Sequence, residues 1–327
     1  ADTFRLLTKS MHPLPDKFHG LKDVEIRYRR RYVDLIVNPE ARAIFRARTK
    51  IVSTLREFLN ERGYLEVETP TMQPIPGGAT AKPFITHHNA LDMQLYMRIA
   101  PELYLKRLLV GGFEKVYEIG RNFRNEGIDT QHNPEFTMLE FYWAYANFQD
   151  LMDLTEEMFA AAAIAVTGQS VVEYQGQSID LTPGKWVRMA FHESLEKIGG
   201  VEPEVYSDYE RCKARVRKLG EKAVDGEKLG KLQAKLFDLL VEPNLIQPHF
   251  IYHYPTDISP LSRRNEANPD ITDRFELFMT GREMANAFSE LNDPADQRGR
   301  FEEQVKETES GDDEAHFMDE DYVRALA

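Results

Sequence analysis

The sequence predicts an α+β fold in which an antiparallel sheet is flanked by helices. Residues 113–145 contain two extended runs around a polar loop, a pattern that indicates an antiparallel hairpin with a long tip. Residues 271–293 hold two further strand-like runs around a Thr-Gly turn. Residues 41–62 place apolar side chains at helical spacing, and residues 148–166 follow the hairpin as a second long helix.

The composition bounds the class of protein. The chain has 327 residues and 42% hydrophobic content, enough for one large core or a core with an insertion. Its 54 acidic and 41 basic residues give a net charge of −13, which disfavours nonspecific nucleic-acid binding. Cys212 is the only cysteine, so a reducing compartment is indicated and we expect an ordinary helix residue. No apolar run reaches the ~18 residues that span a bilayer, and we expect a cytoplasmic protein without membrane contact.

Residues 1–40 have the composition of a linker, because two prolines and a glycine punctuate the first half. A basic patch follows, formed by Arg27, Arg29, Arg30 and Arg31. One interpretation is a solvated helix face whose charges pair with Asp23, Glu25 and Asp34. The alternative is contact with an RNA backbone, where such charges act by counterion release.

The next segment alternates helix, strand and loop. Gly63 fits the end of the helix at 41–62, and the short strand that follows stops at Pro70. Residues 73–90 form a glycine-containing loop that we expect to be irregular. Residues 91–99 alternate as a strand, and Pro101 then opens a helix with Glu102 in its first turn.

The second strand of the central hairpin has two chemically different faces. Phe136, Met138, Glu140 and Tyr142 share one face, because side chains alternate along a strand. A carboxylate between aromatic rings is costly unless a cation meets it, and Arg124 on the partner run is a candidate. One interpretation is a surface ladder of ion pairs. The other is a floor that binds a small, multiply charged ligand, with arginine gripping phosphate or carboxylate.

The last part of the chain is predicted to carry a helical insertion at 150–247 and a strand at 249–254, with His253 packed rather than catalytic. Glu276 and Glu283 fall on the two strands of 271–293, where carboxylates either form salt bridges or bind Mg²⁺ jointly with phosphates. A helix opens at 292–294, and a final helix ends the chain.

A family resemblance rests on these residues. The run FRNE followed by HNPEFTMLEFY resembles motif 2 of the class II aminoacyl-tRNA synthetases, in the version carried by lysyl-tRNA synthetases. The helix, strand and proline of 41–72 resemble motif 1, which builds the family's dimer interface, so a homodimer is expected. The resemblance covers nearly the whole chain.

The resemblance also implies a domain organisation. Residues 1–40 would be the linker from an anticodon-binding domain that is absent here, and residues 41–327 would be the class II catalytic domain. Motif 2 would occupy about 113–145 and the insertion about 150–247. The chain would end before motif 3, so that the last strand and helix of the catalytic fold would be missing.

The implied function is ATP-dependent activation of L-lysine to lysyl-adenylate, with transfer of the lysyl group to tRNA(Lys) and Mg²⁺ as the metal. The catalytic residue would be Arg124. The implied ATP-binding residues are Arg124, Glu126, His132, Phe136, Glu276 and Glu283. The implied lysine-binding residues are Gly78, Glu102, Arg124, Glu140, Tyr142, Asn286, Phe288 and Glu290. The implied metal ligands are Glu276 and Glu283.

The strand pattern around Glu283 and the alternative functions both need comment. Glu283 has the opposite strand parity to Asn286, although the family uses both in one pocket, so a bulge or bend near 284–285 is predicted. The rival functions are lysylation of a translation elongation factor by a paralogue and a non-catalytic amino-acid-binding module. An anionic substrate is disfavoured, because three acids would line the pocket.

Overall fold

In a computed structural model, the protein is described over residues 3–15, 20–129, 131–309 and 317–327. The α-helices of this part are α1 (Val24–Arg29), α2 (Arg31–Val37), α3 (Pro39–Glu61), α4 (Glu102–Val110), α5 (Phe148–Thr167), α6 (Phe191–Lys197), α7 (Pro203–Tyr206), α8 (Tyr209–Lys218), α9 (Leu229–Leu240), α10 (Pro294–Glu309) and α11 (Glu320–Leu326). The strands are β1 (Leu65–Glu66), β2 (Met72–Gln73), β3 (Ile85–His88), β4 (Met93–Met97), β5 (Lys115–Phe123), β6 (Glu135–Trp143), β7 (Val171–Tyr174), β8 (Gln177–Asp180), β9 (Val187–Ala190), β10 (His249–Tyr252), β11 (Arg274–Phe278) and β12 (Glu283–Phe288). Two short 3₁₀ helices lie at Glu242–Asn244 and Thr256–Ile258.

The central hairpin is confirmed as the antiparallel pair β5 and β6, each nine residues long. β1 joins the outer edge of β5 in parallel and completes a three-stranded sheet. Leu139, Phe141 and Trp143 lie on its back face and pack against α3 and α5. The alternation of β6 therefore leaves Glu140 and Tyr142 on the front face, as predicted.

A second, four-stranded sheet has the order β12-β11-β10-β9. β10, β11 and β12 are antiparallel neighbours, and β9 pairs with β10 in parallel. The register of β11 and β12 shifts between Leu277 and Phe278, so that Met284 is the extra residue on β12. This bulge confirms the predicted irregularity and places Glu283 on the same face as Asn286.

Helix α5 lies behind both sheets. Its start is fixed by a capping box in which the Asn147 side chain accepts backbone N–H groups and the Asp150 side chain reaches back. Leu154 and Met158 pack against the back of the central hairpin. Phe148 and Met152 pack in the core behind the second sheet. One helix therefore supports the two front faces on which the charged residues lie.

The segment between Pro70 and the start of α4 contains more strand than predicted. β3 pairs with β4 in antiparallel register, and β2 pairs with the other edge of β4. The expectation that the whole of 73–90 is irregular was therefore wrong for 85–88, where the β-branched Ile85 and Thr86 favour a strand. The stretch from Pro74 to Phe84, which contains Gly78, does run without regular structure.

The range 150–247 contains strands as well as helices. β7 and β8 form a separate hairpin, and β9 lies at the edge of the second sheet. The helical part runs from α6 to α9, and its core, which includes Phe191, Leu232 and Phe237, is shared with Ile251 and Phe278 of the second sheet. Cys212 is buried in that core on α8, and burial raises the pKa of its thiol to about 11, which agrees with an ordinary helix residue.

Three of the four arginines in the basic patch near the start of the chain form ion pairs with acids of their own two helices. Arg27 and Arg31 both form ion pairs with the buried Asp34, and Arg29 pairs with Glu25. The structure therefore favours the interpretation of this patch as a paired helix face. Residues 16–19 of the predicted linker lie outside the described residues. None of the helices in the described ranges has the length and apolarity needed to cross a membrane.

Candidate active site

The first group of predicted residues meets at the start of α4. Gly78 has a φ of +86°, and a Cβ added there would lie 2.8 Å from the Cβ of Glu102 and 3.1 Å from that of Ala100. The irregular loop therefore presses its backbone directly against the first turn of α4, which only glycine allows. Two residues that come from separate parts of the sequence are thus adjacent, as the resemblance implied.

A lysine that the sequence analysis did not single out lies at the centre of this group. The Lys106 Nζ atom is 2.5 Å from Glu102 Oε1 and 2.6 Å from Glu290 Oε2. The Lys106 side chain is only 3% exposed. The ring centroid of Phe288 lies 4.8 Å from the same nitrogen. The spacing of Glu102 and Lys106, four residues apart on one helix, was the available signal.

Glu140 of β6 completes a group of three carboxylates. Its Oε2 atom accepts a hydrogen bond of 3.0 Å from the hydroxyl of Tyr142. Burial and the charge of Glu102 raise the pKa of Glu140 to about 8, against the opposing effect of Lys106. Burial likewise raises the pKa of Glu290 to about 7. The pocket is therefore poorly hydrated and rich in negative charge, a combination that favours binding of cations.

Arg124 lies beside the carboxylate group at the end of β5. Its guanidinium carbon is 5.1 Å from the ring centroid of Phe136, and its backbone N–H donates to the carbonyl of Pro134. Its Nε atom is buried and has no hydrogen-bond partner among the described residues. Burial raises the pKa of both Glu140 and Glu283, and the positive charge of Arg124 opposes part of that rise. A guanidinium with an unused donor between two acidic groups is suited to binding an anion.

The hairpin tip holds the two remaining motif 2 residues. Glu126 is exposed there, and the side chain of His132 is 68% exposed. The Nδ1 atom of His132 lies 2.7 Å from Asp129 Oδ2, and this contact is the main reason that the pKa of Asp129 falls to about 2. Within the described residues, no contact joins Glu126 or His132 to Arg124 or Phe136, so the structure does not bring these four together.

A second acidic group lies on the front face of the other sheet. Glu276 forms an ion pair with Arg274, and the amide of Asn286 donates to Glu276 Oε1 at 3.2 Å. Reduced hydration and the charge of Glu276 raise the pKa of Glu283. Glu242, which the sequence analysis did not identify, adds a further negative charge that acts on Glu283.

The two predicted metal ligands do not form a metal site by themselves. Within the described residues, no set of three or more His, Cys, Asp or Glu side chains is arranged to hold an ion. Two carboxylates on adjacent strands do fit the chemistry of Mg²⁺, which keeps several waters and commonly takes one or two carboxylates together with substrate phosphates. The donor set is therefore compatible with an ion that arrives with a phosphate ligand.

A buried ion pair holds the hairpin under the pocket. The Arg98 side chain lies 2.5 Å from Glu118 Oε1 and donates from Nε to the carbonyl of Arg121. The hydroxyl of Thr69 donates to the same glutamate. A Cβ at Gly120 would lie 2.0 Å from an Arg98 nitrogen, so the strand needs glycine where the arginine crosses it. This support was not predicted, because Glu118 reads in the sequence as one more strand residue.

Known proteins resemble this chain over nearly its whole length. The family model described as tRNA synthetases class II (D, K and N) matches residues 23–327. The lysine–tRNA ligase of Pelotomaculum thermopropionicum is 57% identical over 328 aligned residues, which cover 100% of this chain and 65% of the relative. The lysine–tRNA ligase of Ectopseudomonas mendocina is 60% identical over 323 residues, with 98% and 64% covered. The lysine–tRNA ligase of Carboxydothermus hydrogenoformans is 57% identical, with 99% and 66% covered.

The chain therefore spans about 65% of the length of the curated relatives it matches. The match with the family model includes both sheets, α5 and every residue of the two acidic groups. The predicted α+β class, with antiparallel strands flanked by helices, is confirmed by the fold and by this match. This chain belongs to the family of class II tRNA synthetases (D, K and N).

Proposed function

We propose that this chain carries the amino-acid-activating site of a lysine–tRNA ligase, which forms lysyl-adenylate from L-lysine and ATP and passes the lysyl group to tRNA(Lys). The observation that carries the proposal is the meeting of Glu102, Glu140 and Glu290 beside Arg124. A substrate with two ammonium groups and one carboxylate needs acids for its ammonium groups and a guanidinium for its carboxylate. The names of the similar proteins agree with this reaction.

In this proposal, different acids bind the two ammonium groups of lysine. Glu102, next to the close-packed backbone of Gly78, would hold the α-ammonium. Glu140 and Glu290 would hold the ε-ammonium, with Tyr142 and Asn286 adding hydrogen bonds. Phe288 would line the alkyl stem. Neutral analogues would be rejected, because their binding would leave poorly hydrated carboxylates without a partner.

Arg124 would act at the reacting centre. A carboxylate oxygen of lysine attacks the α-phosphorus of ATP, the bond to the β-phosphate oxygen breaks, and pyrophosphate leaves. The unused Nε donor of Arg124 supports a role in bridging the two reacting anions and stabilising the charge that builds up. Phe136 would stack on adenine, while Glu126 and His132 would reach ATP from the hairpin tip. No side chain of the protein needs to act as a nucleophile.

Glu276 and Glu283 would hold Mg²⁺ together with the phosphates of ATP. The ion would supply charge neutralisation at the phosphate oxygens. The ion pair between Arg274 and Glu276 supports this placement, because it orients one carboxylate on the front face of the sheet. Asn286 bonds to that carboxylate, and so connects the proposed metal ligands to the proposed lysine pocket.

A homodimer through α3 is also part of the proposal. Ile44, Phe45 and Ile51 are exposed on this helix, with 67%, 44% and 37% of their surface accessible. Exposed apolar side chains on one helix are typical of an interaction surface. Light scattering of the complete gene product should give twice the mass of one chain, and Phe45→Glu should lower it to one.

The test of the function is pyrophosphate exchange by the complete gene product. We expect exchange of label between pyrophosphate and ATP that depends on L-lysine, and no exchange with aspartate, asparagine or norleucine. Transfer of lysine to tRNA(Lys) is measured separately, with an elongation factor as the competing acceptor. Absence of lysine-dependent exchange would refute the proposed activity. Exchange without transfer to tRNA(Lys) would support lysine activation but refute tRNA as the acceptor.

A further inference from the structure

Lys106 is a buried cation that belongs to the protein and lies inside the pocket proposed for lysine. Its ammonium group contacts Glu102 at 2.5 Å and Glu290 at 2.6 Å, and it lies over the ring of Phe288. Each of these three groups is also one that the proposed function gives to the substrate. The proposed function itself assigns Lys106 no role.

The groups that face Lys106 come from four elements of the fold. Glu102 is on its own helix α4, while Phe288 and Glu290 are at the end of β12 and just beyond it. Glu140 and Tyr142 come from β6, and Tyr322 comes from α11. Burial alone would lower the pKa of Lys106, but the charges of Glu102 and Glu290 raise it well above its ordinary value. Lys106 is therefore a permanent positive charge in the pocket.

The charges in this pocket do not cancel. Three carboxyl groups, those of Glu102, Glu140 and Glu290, lie near one ammonium group, so full ionisation of the three leaves an excess of two negative charges. The raised pKa values of Glu140 and Glu290 mean that this ionisation is completed only at about pH 7–8. Without Lys106 the three carboxylates would stand together with little water. Like charges at short range cannot all stay ionised, so such a pocket would take up a proton.

We propose that Lys106 is a positioning residue for substrate recognition, whose ammonium group holds Glu102 and Glu290 in place as carboxylates and thereby fits the pocket to a ligand with two ammonium groups. This inference rests on the proposed function. It assigns Lys106 neither to the reacting atoms nor to a covalent step. It differs from a purely structural tie between α4 and β12, because it predicts a change in the pH dependence of lysine binding.

The decisive variant is Lys106→Met in the complete gene product. The charge of Lys106 opposes the effect of burial on the pKa of Glu140 and Glu290, so loss of the ammonium group should raise both values further and leave the two groups largely protonated at neutral pH, where they would bind lysine poorly. The acidic limb of kcat/KM for lysine should then move to higher pH, measured by pyrophosphate exchange between about pH 6 and pH 9. Below the limb, each unit of movement lowers kcat/KM about tenfold. The KM for ATP should stay as in the unmodified enzyme.

Two further variants separate charge from packing. Lys106→Arg keeps the cation but changes the shape, so its limb should stay at the wild-type pH even where kcat falls. The double variant Lys106→Met with Glu102→Gln removes one cation and one carboxylate, which restores the excess of two. Its limb should move back toward the wild-type position, although its KM for lysine should remain raised. Urea unfolding at each pH identifies any variant that is not folded.

The outcomes are distinct. Wild-type enzyme without lysine-dependent exchange would refute the proposed function. The role of Lys106 alone would be overturned if the wild type shows exchange and the acidic limb of kcat/KM for lysine lies at the same pH in Lys106→Met as in the wild type. The same conclusion would follow if the Met and Arg variants share one limb. If Lys106→Met does not fold, the comparison of Lys106→Arg with the double variant decides, since the proposal requires both limbs to lie near that of the wild type.

Discussion

The two acidic groups of this protein lie on the front faces of neighbouring sheets, but each handles its charge differently. The group around Lys106 takes its cation from a helix and buries it at 3% exposure among three carboxylates. The group around Glu276 takes its cation from the same strand, in the pair with Arg274. The first group is suited to organic ammonium ions, which lose their water on binding. The second is suited to a hydrated divalent ion.

The largest expected effect concerns Arg124, which lies between the two groups. Arg124→Gln should lower kcat for lysine-dependent pyrophosphate exchange by about 10²–10³-fold, because a charge-stabilising donor at the reacting centre is lost. Burst-phase formation of lysyl-adenylate, measured by rapid quench, checks this. A rise in KM alone, with kcat unchanged, would place Arg124 in binding rather than in catalysis.

The next effect should separate the two groups. Glu290→Gln should raise the KM for lysine by roughly thirtyfold, the equivalent of about 2 kcal/mol for a lost charged hydrogen bond, and leave the KM for ATP nearly unchanged. Glu276→Gln is the matched variant, and should raise the Mg²⁺ concentration needed for half-maximal exchange while sparing lysine. Steady-state kinetics at varied lysine, ATP and Mg²⁺ measure all three. Equal losses for both substrates in both variants would contradict the division.

The smallest expected effect concerns the support under the first group. Gly120→Ala should lower the free energy of unfolding by about 1–3 kcal/mol, since the new methyl group would displace the Arg98 side chain. Gly127→Ala is the matched control, because nothing lies within 4 Å of its added Cβ, and should change stability by less than about 0.5 kcal/mol. Urea unfolding measures both. Similar values for the two variants would mean that Arg98 moves aside without cost.

Much of the fold could be predicted from periodicity, and the site from the motifs. The hairpin faces, the length of α5 and the bulge at Met284 followed from alternation and from the pocket that the resemblance implied. The strand at 85–88 was missed, because four residues between a loop and a turn give too short a pattern. Periodicity detects long elements better than short ones.

The cations of the site were harder to predict than its acids. Lys106 lies in an ordinary amphipathic helix, where a lysine four residues after a glutamate is most often a surface pair. Only the tertiary packing of α4 against β5, β6 and α11 buries it. Arg98 and Glu118 were missed for a related reason, since their partners are far apart in sequence and meet only in the folded chain. Sequence patterns report which face a residue occupies, but not which distant charge it meets.

The position of α5 has a consequence for how the two substrates are aligned. The backbone N–H of Phe148, at the start of α5, donates at 3.1 Å to the hydroxyl of Ser289, the neighbour of Glu290. Four residues separate the end of β6 from the start of the helix, which extends for 20 residues behind both sheets. Because α5 packs against the back of both sheets, we expect the distance between the two proposed substrate sites to depend on how this helix is packed. A large-to-small substitution on the buried face of α5 should therefore lower the rate of the proposed reaction, although the changed side chain would contact neither substrate.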